Sequence, residues 1–133
     1  MWLFDTVALS ESFKRQPNPG FVAWLGGEFG EQIHTSVLCL GEIRRGVELL
    51  PAGARQTAMT HWLEVDLPAR LAGRIHPVDE PAAQTWGRLS ALRTLPVADS
   101  LIAATALVHG LTVVTRNTRD FDGLGVPVLN PWI

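Results

Sequence analysis

The stretch ADSLIAATALVHGLTVVT, residues 98–115, has almost no polar face to offer water. Residues 98–109 read as a helix that is apolar nearly all round, Gly110 as its C-terminal stop, and LTVVT as a buried strand. A helix and a following strand that both lack a wet side must each be covered from more than one direction. A parallel sheet with helices on both faces meets that demand, because each crossover helix covers the strands it joins.

The rest of the chain repeats the alternation. WLF (2–4) reads as a strand and TVALSE (6–11) as a short helix behind it. RQPNPG (15–20) is a loop by composition. FVAWLGGEF (21–29) places Phe21, Trp24, Leu25 and Phe29 on one helical face, which Gly26 and Gly27 weaken. QIHTSV (32–37) is a second strand, and CLGEIRRGVELL (39–50) a helix striped by Leu40, Ile43, Val47 and Leu50. PAGARQTAMTHWLEVDL (51–67) reads as a helix ending before Pro68. RIHPV (74–78) is a short strand. EPAAQTWGRLSALR (80–93) is an amphipathic helix opened by Glu80 and Pro81. VPVLN (126–130) is the last strand. With no repeat, low-complexity tract or linker, one domain over residues 1–133 is expected. Its fold class is α/β, a doubly wound parallel sheet of four or five strands flanked by helices.

At 133 residues, 47% hydrophobic and 18% charged, the chain has the length and composition of a packed core rather than a disordered segment. A net charge of −2 gives no global attraction to nucleic acid, so any such binding needs a local basic patch or a bound metal. The cations are ten Arg and a single Lys, Lys14, a bias toward the side chain that grips phosphate with two N–H groups. Cys39 is the only cysteine; its apolar setting, SVLCLGE, fits a buried thiol rather than a nucleophile. Neither a signal-peptide pattern nor an apolar run long enough to cross a bilayer is visible, so no membrane partner and a cytoplasmic location are expected.

The acids carry the chemical argument. Most of the 13 sit in wet contexts, such as Glu48, Glu64 and Asp66. Four do not. Asp5 follows the first strand, Glu42 lies just into the helix after the second, Asp99 opens the apolar helix, and Asp120 lies just past the strand LTVVT. In a parallel sheet, groups just after strands gather along one edge, where such folds bind ligands. Carboxylates gathered there repel one another, and a hard divalent cation relieves the repulsion with few protein ligands. Each acid also has a purely local explanation. Asp5 could cap its helix, Asp99 could complement its helix dipole, Glu42 could pair with Arg45, and Asp120 could serve a turn. Four coincidences at matching places favour a shared site. Gly46, one turn beyond Glu42, leaves open space beside that carboxylate.

Other chemistries find less support. GxGxxG, GxxxxGK[ST] and GxSxG patterns are absent, and His34, His61, His76 and His109 show no metal-ligand spacing.

FDTVALSE, SVLCLGEIRRGVE, RIHPVDEPAA, LPVADSLIAATALVHGLTVVTRNTRDF and the closing NPW together resemble the PIN-domain ribonucleases. They are most similar to the VapC toxins of bacterial toxin–antitoxin pairs, in the FitB-like branch. The resemblance implies Mg²⁺ or Mn²⁺ held by Asp5 and Asp99, with Glu42 and Asp120 helping directly or through water. It implies hydrolysis of RNA phosphodiester bonds, a homodimer or higher toxin–antitoxin assembly, and silencing by an antitoxin whose C-terminal segment fills a groove near the site. The chain departs from the family in three places. Val7 stands where an Asn is usual, Asn117 stands where some members carry the fourth acid, with Asp120 substituting, and the segment from Arg93 to Val97 is short.

Arg44, Arg45, Arg116 and Arg119, with Asn117 between the last two, are the expected substrate-binding set, rimming the acids and contacting phosphates. Ordinary solvated arginines are the competing explanation. Phe21, Trp24, Leu25, Met59 and Trp62 exceed what two short helices need for a core, which suggests an antitoxin groove or a dimer face. Val7 and Asn117 also motivate an alternative function: a catalytically weakened module that binds RNA or antitoxin without cutting.

Overall fold

A computed structural model describes residues 1–26 and 30–132. Gly27 and Phe29, both placed in a helix by the sequence pattern, lie outside the described residues. Five parallel strands form the sheet: β1 (Trp2–Phe4), β2 (Ile33–Ser36), β3 (Ile75–His76), β4 (Thr112–Val114) and β5 (Val128–Leu129). Their spatial order is β3-β2-β1-β4-β5. The chain therefore winds outward from β1 in one direction and returns to wind in the other. The β1–β4 boundary is the point where strand order reverses, the usual ligand crevice of such sheets. In register, Trp2 pairs with Ile33 and Thr112, Leu3 with His34 and Val113, and Phe4 with Val114.

The central strands are short and apolar because both of their faces are covered. Leu3, Phe4, Val113 and Val114 are all fully buried. Among the described residues the α-helices are α1 (Thr6–Phe13), α2 (Pro19–Leu25), α3 (Val37–Glu48), α4 (Ala54–His61), α5 (Leu67–Arg70), α6 (Glu80–Ser90) and α7 (Val97–His109). Helix α7 buries Ile102, Ala103, Ala104 and Ala106 and ends at Gly110 in the left-handed conformation, φ 65°. Alanines there let α7 lie close to its neighbours, while Ile102 alone contributes roughly 2 kcal/mol through burial.

Local chemistry sets the helix ends. Asn18 accepts from the Phe21 N–H at 3.1 Å and Pro19 occupies the first turn, so α2 starts two residues earlier than the apolar pattern suggests. Gly26 ends it at φ 69°. Asp79 caps α6 through the Ala82 N–H at 3.1 Å.

The expectation that the second long helix stops before Pro68 does not hold. After α4 a π turn, Trp62–Asp66, leads directly into α5, which contains Pro68 in its first turn. The Leu67 N–H donates back to the Trp62 carbonyl, one residue further than in an α-helix. The widened turn shifts the hydrogen-bond register, and a proline in the opening turn of α5 gives up no essential donor.

Much of the suspected apolar surface is core. Phe21 is 1% and Trp62 6% exposed. Phe21 packs on Phe4, Trp24 and Trp132, and Trp62 on Phe13. Trp24 and Leu25, with Trp2 and Ile33, line an open cleft of about 570 Å³ at the start of the strands. Glu11 belongs with the unusual acids: at 2% exposure it accepts from Lys14 Nζ, the Asn18 N–H and the Trp132 indole N–H, pinning the C-terminal segment to α1. Among the described residues no helix is long and apolar enough to cross a membrane, and no buried side-chain nitrogen or oxygen lacks a partner.

Candidate active site

Asp5 is the first residue beyond β1 and the N-cap of α1. Its Oδ1 accepts from the Ala8 N–H at 2.8 Å, and its own N–H donates to the Val114 carbonyl across the β1–β4 boundary. The residue is 8% exposed. Burial pushes its carboxyl above the usual range, and the Glu42 charge adds to the rise. The Thr115 hydroxyl and the amides of Ala8 and Val7 oppose it. Capping and site membership are thus compatible roles for one carboxylate. What makes Asp5 tolerable here is hydrogen bonding, since no Lys or Arg among the described residues pairs with it.

Asp99 lies in the first turn of α7, beyond an N-cap, Pro96, that offers no side-chain acceptor. Its pKa is pushed up to about 6. Burial is the largest cause, followed by the charges of Asp120, Glu42 and Asp5, with the Asp120 side chain adding a smaller hydrogen-bonding contribution. All four expected acids, each from a different segment, thus lie near enough for Asp99 to feel the charges of the other three.

Glu42, on α3, is exposed and accepts from Thr6 Oγ1 at 2.6 Å, a bond that ties α3 to the start of α1. The Glu42–Arg45 pair does not form. The α3 position one turn on is open, since a Cβ on Gly46 would meet nothing within 4 Å. Asp120 is half-buried in a 3₁₀ turn, Thr118–Phe121, anchored by Phe121 at 2% exposure. The turn and its approach line a cavity of about 300 Å³ formed by Arg116, Asn117, Thr118, Arg119 and Asp120.

Arg45, Arg116, Asn117 and Arg119 are exposed. Arg44 is engaged: its guanidinium donates to Glu64 at 2.7 Å and lies 3.5 Å from Glu48. Cys39 is fully buried beneath the Phe4 carbonyl and its thiol is pushed up to about 11 by burial, which removes it as a nucleophile.

Sequence reasoning missed Thr115 and Thr6. Thr115 is fully buried beside Asp5 and its Oγ1 accepts the Asn117 N–H at 3.0 Å, so one hydroxyl links the ends of both central loops. It was hidden as one more β-branched residue of LTVVT. The histidines also hold a surprise. His34 Nδ1 and His76 Nε2 are 2.8 Å apart, and the His76 and His109 rings stack at 3.9 Å. Strand pairing and the end of α7 bring them together, and no local spacing could announce it. Stacked faces are not convergent lone pairs, and among the described residues no three acidic, histidine or cysteine side chains converge on one point as placed.

The donor chemistry of the acid cluster nonetheless suits a hard divalent ion. All its donors are carboxylate oxygens, no Lys or Arg among the described residues forms an ion pair with Asp5 or Asp99, and the cost of holding them together is visible at Asp99. An Mg²⁺-like ion keeps several waters and needs only one or two direct carboxylates, so full convergence of the side chains is not required.

Comparison with known proteins agrees with this architecture. The chain is 35% identical over 99% of its length to the VapC ribonuclease Y4jK of Sinorhizobium fredii, covering 98% of that protein. It is 39% identical to the toxin FitB of Neisseria gonorrhoeae, covering 99% of both. The crystal structure of FitAcB from Neisseria gonorrhoeae superposes with a TM-score of 0.89 over 99% of each chain. Residues 2–126 match the PIN domain, and with full-length relatives at this identity the chain belongs to the PIN-domain family.

Proposed function

We propose that this chain is a divalent-metal-dependent endoribonuclease, a hydrolase acting as the toxin of a toxin–antitoxin pair within one domain spanning residues 1–133. The observation that carries it is the coupled cluster of Asp5, Glu42, Asp99 and Asp120 at the reversal point of the sheet. Relatives named as a ribonuclease and a toxin support the reaction class.

Asp5 and Asp99 would hold Mg²⁺ or Mn²⁺, with Glu42 and Asp120 contributing directly or through water. When bound, such an ion supplies an acidified water as nucleophile and positive charge against the phosphate. The protein's own part is orientation. Ala8 and Thr115 fix Asp5, and Thr6 aims Glu42. Asn117, Arg116 and Arg119 line the adjoining cavity and would take flanking RNA phosphates, with Arg45 on the α3 side. Arg44 would join them only by releasing Glu64. Because the net charge is negative, binding would rest on these local contacts and weaken steeply with salt.

Val7, Val37 and Val97, at the starts of α1, α3 and α7, are 40%, 40% and 62% exposed, and Leu92 is 68% exposed. These side chains suit the apolar part of an antitoxin segment laid near the cluster. A homodimer within a larger toxin–antitoxin assembly and a cytoplasmic location belong to the same proposal.

The test is cleavage of RNA with Mg²⁺ or Mn²⁺ present. Activity is expected to vanish with chelator and in Asp99→Ala; cutting that survives both would overturn the proposal. Mn²⁺ binding without any cleavage would instead favour the non-cutting module that Val7 and Asn117 suggest.

A further inference from the structure

The short link between α6 and α7 does more than join two helices. Arg93 lies on it, exposed, with its guanidinium turned across to the 3₁₀ turn that carries Asp120. Nη1 donates to the Asp122 carbonyl at 2.6 Å and Nη2 to the Arg119 carbonyl at 3.4 Å. Those two carbonyls bracket Asp120. The turn also makes backbone bonds at its edges, Asp120 N–H to the Asn117 carbonyl at 3.2 Å, Asp122 N–H to the Arg119 carbonyl at 3.3 Å and Leu124 N–H to the Phe121 carbonyl at 3.4 Å. A single 3₁₀ turn is weakly held by such bonds. The same link then runs into α7, whose first turn carries Asp99.

We propose that Arg93 is a positioning residue. It braces the Asp120 turn against the segment leading to Asp99, and so sets how closely those two carboxylates approach. Two donors in one rigid plane suit two carbonyls on one turn, and a lysine ammonium has no such fork. The brace rests on the nuclease assignment for its purpose but not for its existence. A phosphate-binding role is the competing use of the same side chain; its loss would raise KM for RNA and leave amide exchange in RNA-free protein unchanged.

The experiment compares the full chain with Arg93→Ala and Arg93→Lys. In metal-free protein, amide exchange at Asp120 and Asp122 is expected to speed up on the order of tenfold in both variants. Mn²⁺ affinity measured by calorimetry is expected to fall on the order of tenfold in both, as for other residues that orient metal ligands. RNA cleavage should lose kcat with KM nearly unchanged. Unchanged exchange in Arg93→Ala would overturn the brace. Full rescue by Arg93→Lys, or faster exchange with unaltered Mn²⁺ affinity, would overturn it equally. A wild-type chain that neither binds Mn²⁺ nor cuts RNA would sink the nuclease assignment, while the exchange rates would still decide whether the brace exists.

Discussion

Asp99 is held at a cost that its own helix cannot remove. A carboxylate in the first turn gains about 0.3–1 kcal/mol from the helix dipole. Burial and three neighbouring acids nevertheless push its pKa up to about 6. A raised acid binds protons more readily in the folded state, so its contribution is most favourable below the unfolded pKa and is lost as pH rises through about 6. Discounted for solvent screening and for the lost dipole interaction, Asp99→Asn is expected to stabilise metal-free protein by about 1 kcal/mol at pH 7. It should also abolish cleavage. Thermal unfolding with chelator checks the first, and a variant that melts lower than wild type at pH 7 would contradict it. Thr115 offers the complementary case. Thr115→Val keeps the buried shape but removes the hydroxyl between Asp5 and the Asn117 N–H. Stability should drop by under about 1.5 kcal/mol, whereas Mn²⁺ affinity should drop about 10–100-fold. Calorimetric titration decides, and an unaltered affinity would remove Thr115 from the site. Asp5, Glu42 and Asp120 were legible in the sequence because each comes after a strand, and Asp99 because it opens a helix with almost no polar face. Thr115 was not, because a hydroxyl at a strand end looks like β-propensity alone.

At the level of elements, the pattern of strands and helices was readable wherever one period ran long enough. The stripe of α3 and the wholly apolar α7 are examples. It failed where hydrogen-bond register changed inside a helix, as at the π turn before Pro68. Helix α1 was read correctly as an element, but what holds it was not legible, since Glu11 on its buried side is satisfied partly by the distant Trp132. Burial works to raise the Glu11 pKa, but the Asn18 amide, the Trp132 indole and Lys14 outweigh it and the net shift is downward. A lowered acid stabilises the fold above its unfolded pKa and loses that contribution as pH falls through the folded one. Trp132→Phe keeps the ring packed on Phe21 and deletes only the indole donor. It is expected to cost about 1–2 kcal/mol in urea unfolding at pH 7, with the difference shrinking at acid pH as Glu11 protonates. A pH-independent loss would point to ring packing instead.

Across the whole molecule, two charge-bearing clusters sit at different parts of the same sheet and respond to acid with opposite signs. Asp5 and Asp99 are raised, so the folded state takes up protons before the unfolded chain does and gains stability as pH falls toward 5. His34 is lowered by burial first and then by the charges of Arg74, His109 and the N-terminus. His76 is lowered by burial and by His109 and His34, with Asp79 opposing. For these two the unfolded chain binds protons first, and stability is lost as pH falls through about 6.5. The windows overlap between about pH 5 and 6.5, where Glu11 has yet to titrate. In metal-free wild type the two responses therefore oppose each other over that range, the raised acids offsetting part of the histidine loss. Asp99→Asn removes the larger part of the acid cluster's gain and leaves the histidine loss uncovered, so its melting temperature should fall as pH is lowered from 7 to 5. Its advantage over wild type at pH 7 should narrow accordingly. Parallel curves for the two proteins across that interval would show that Asp99 does not titrate in it, and the electrostatic coupling assigned to the acid cluster would be wrong.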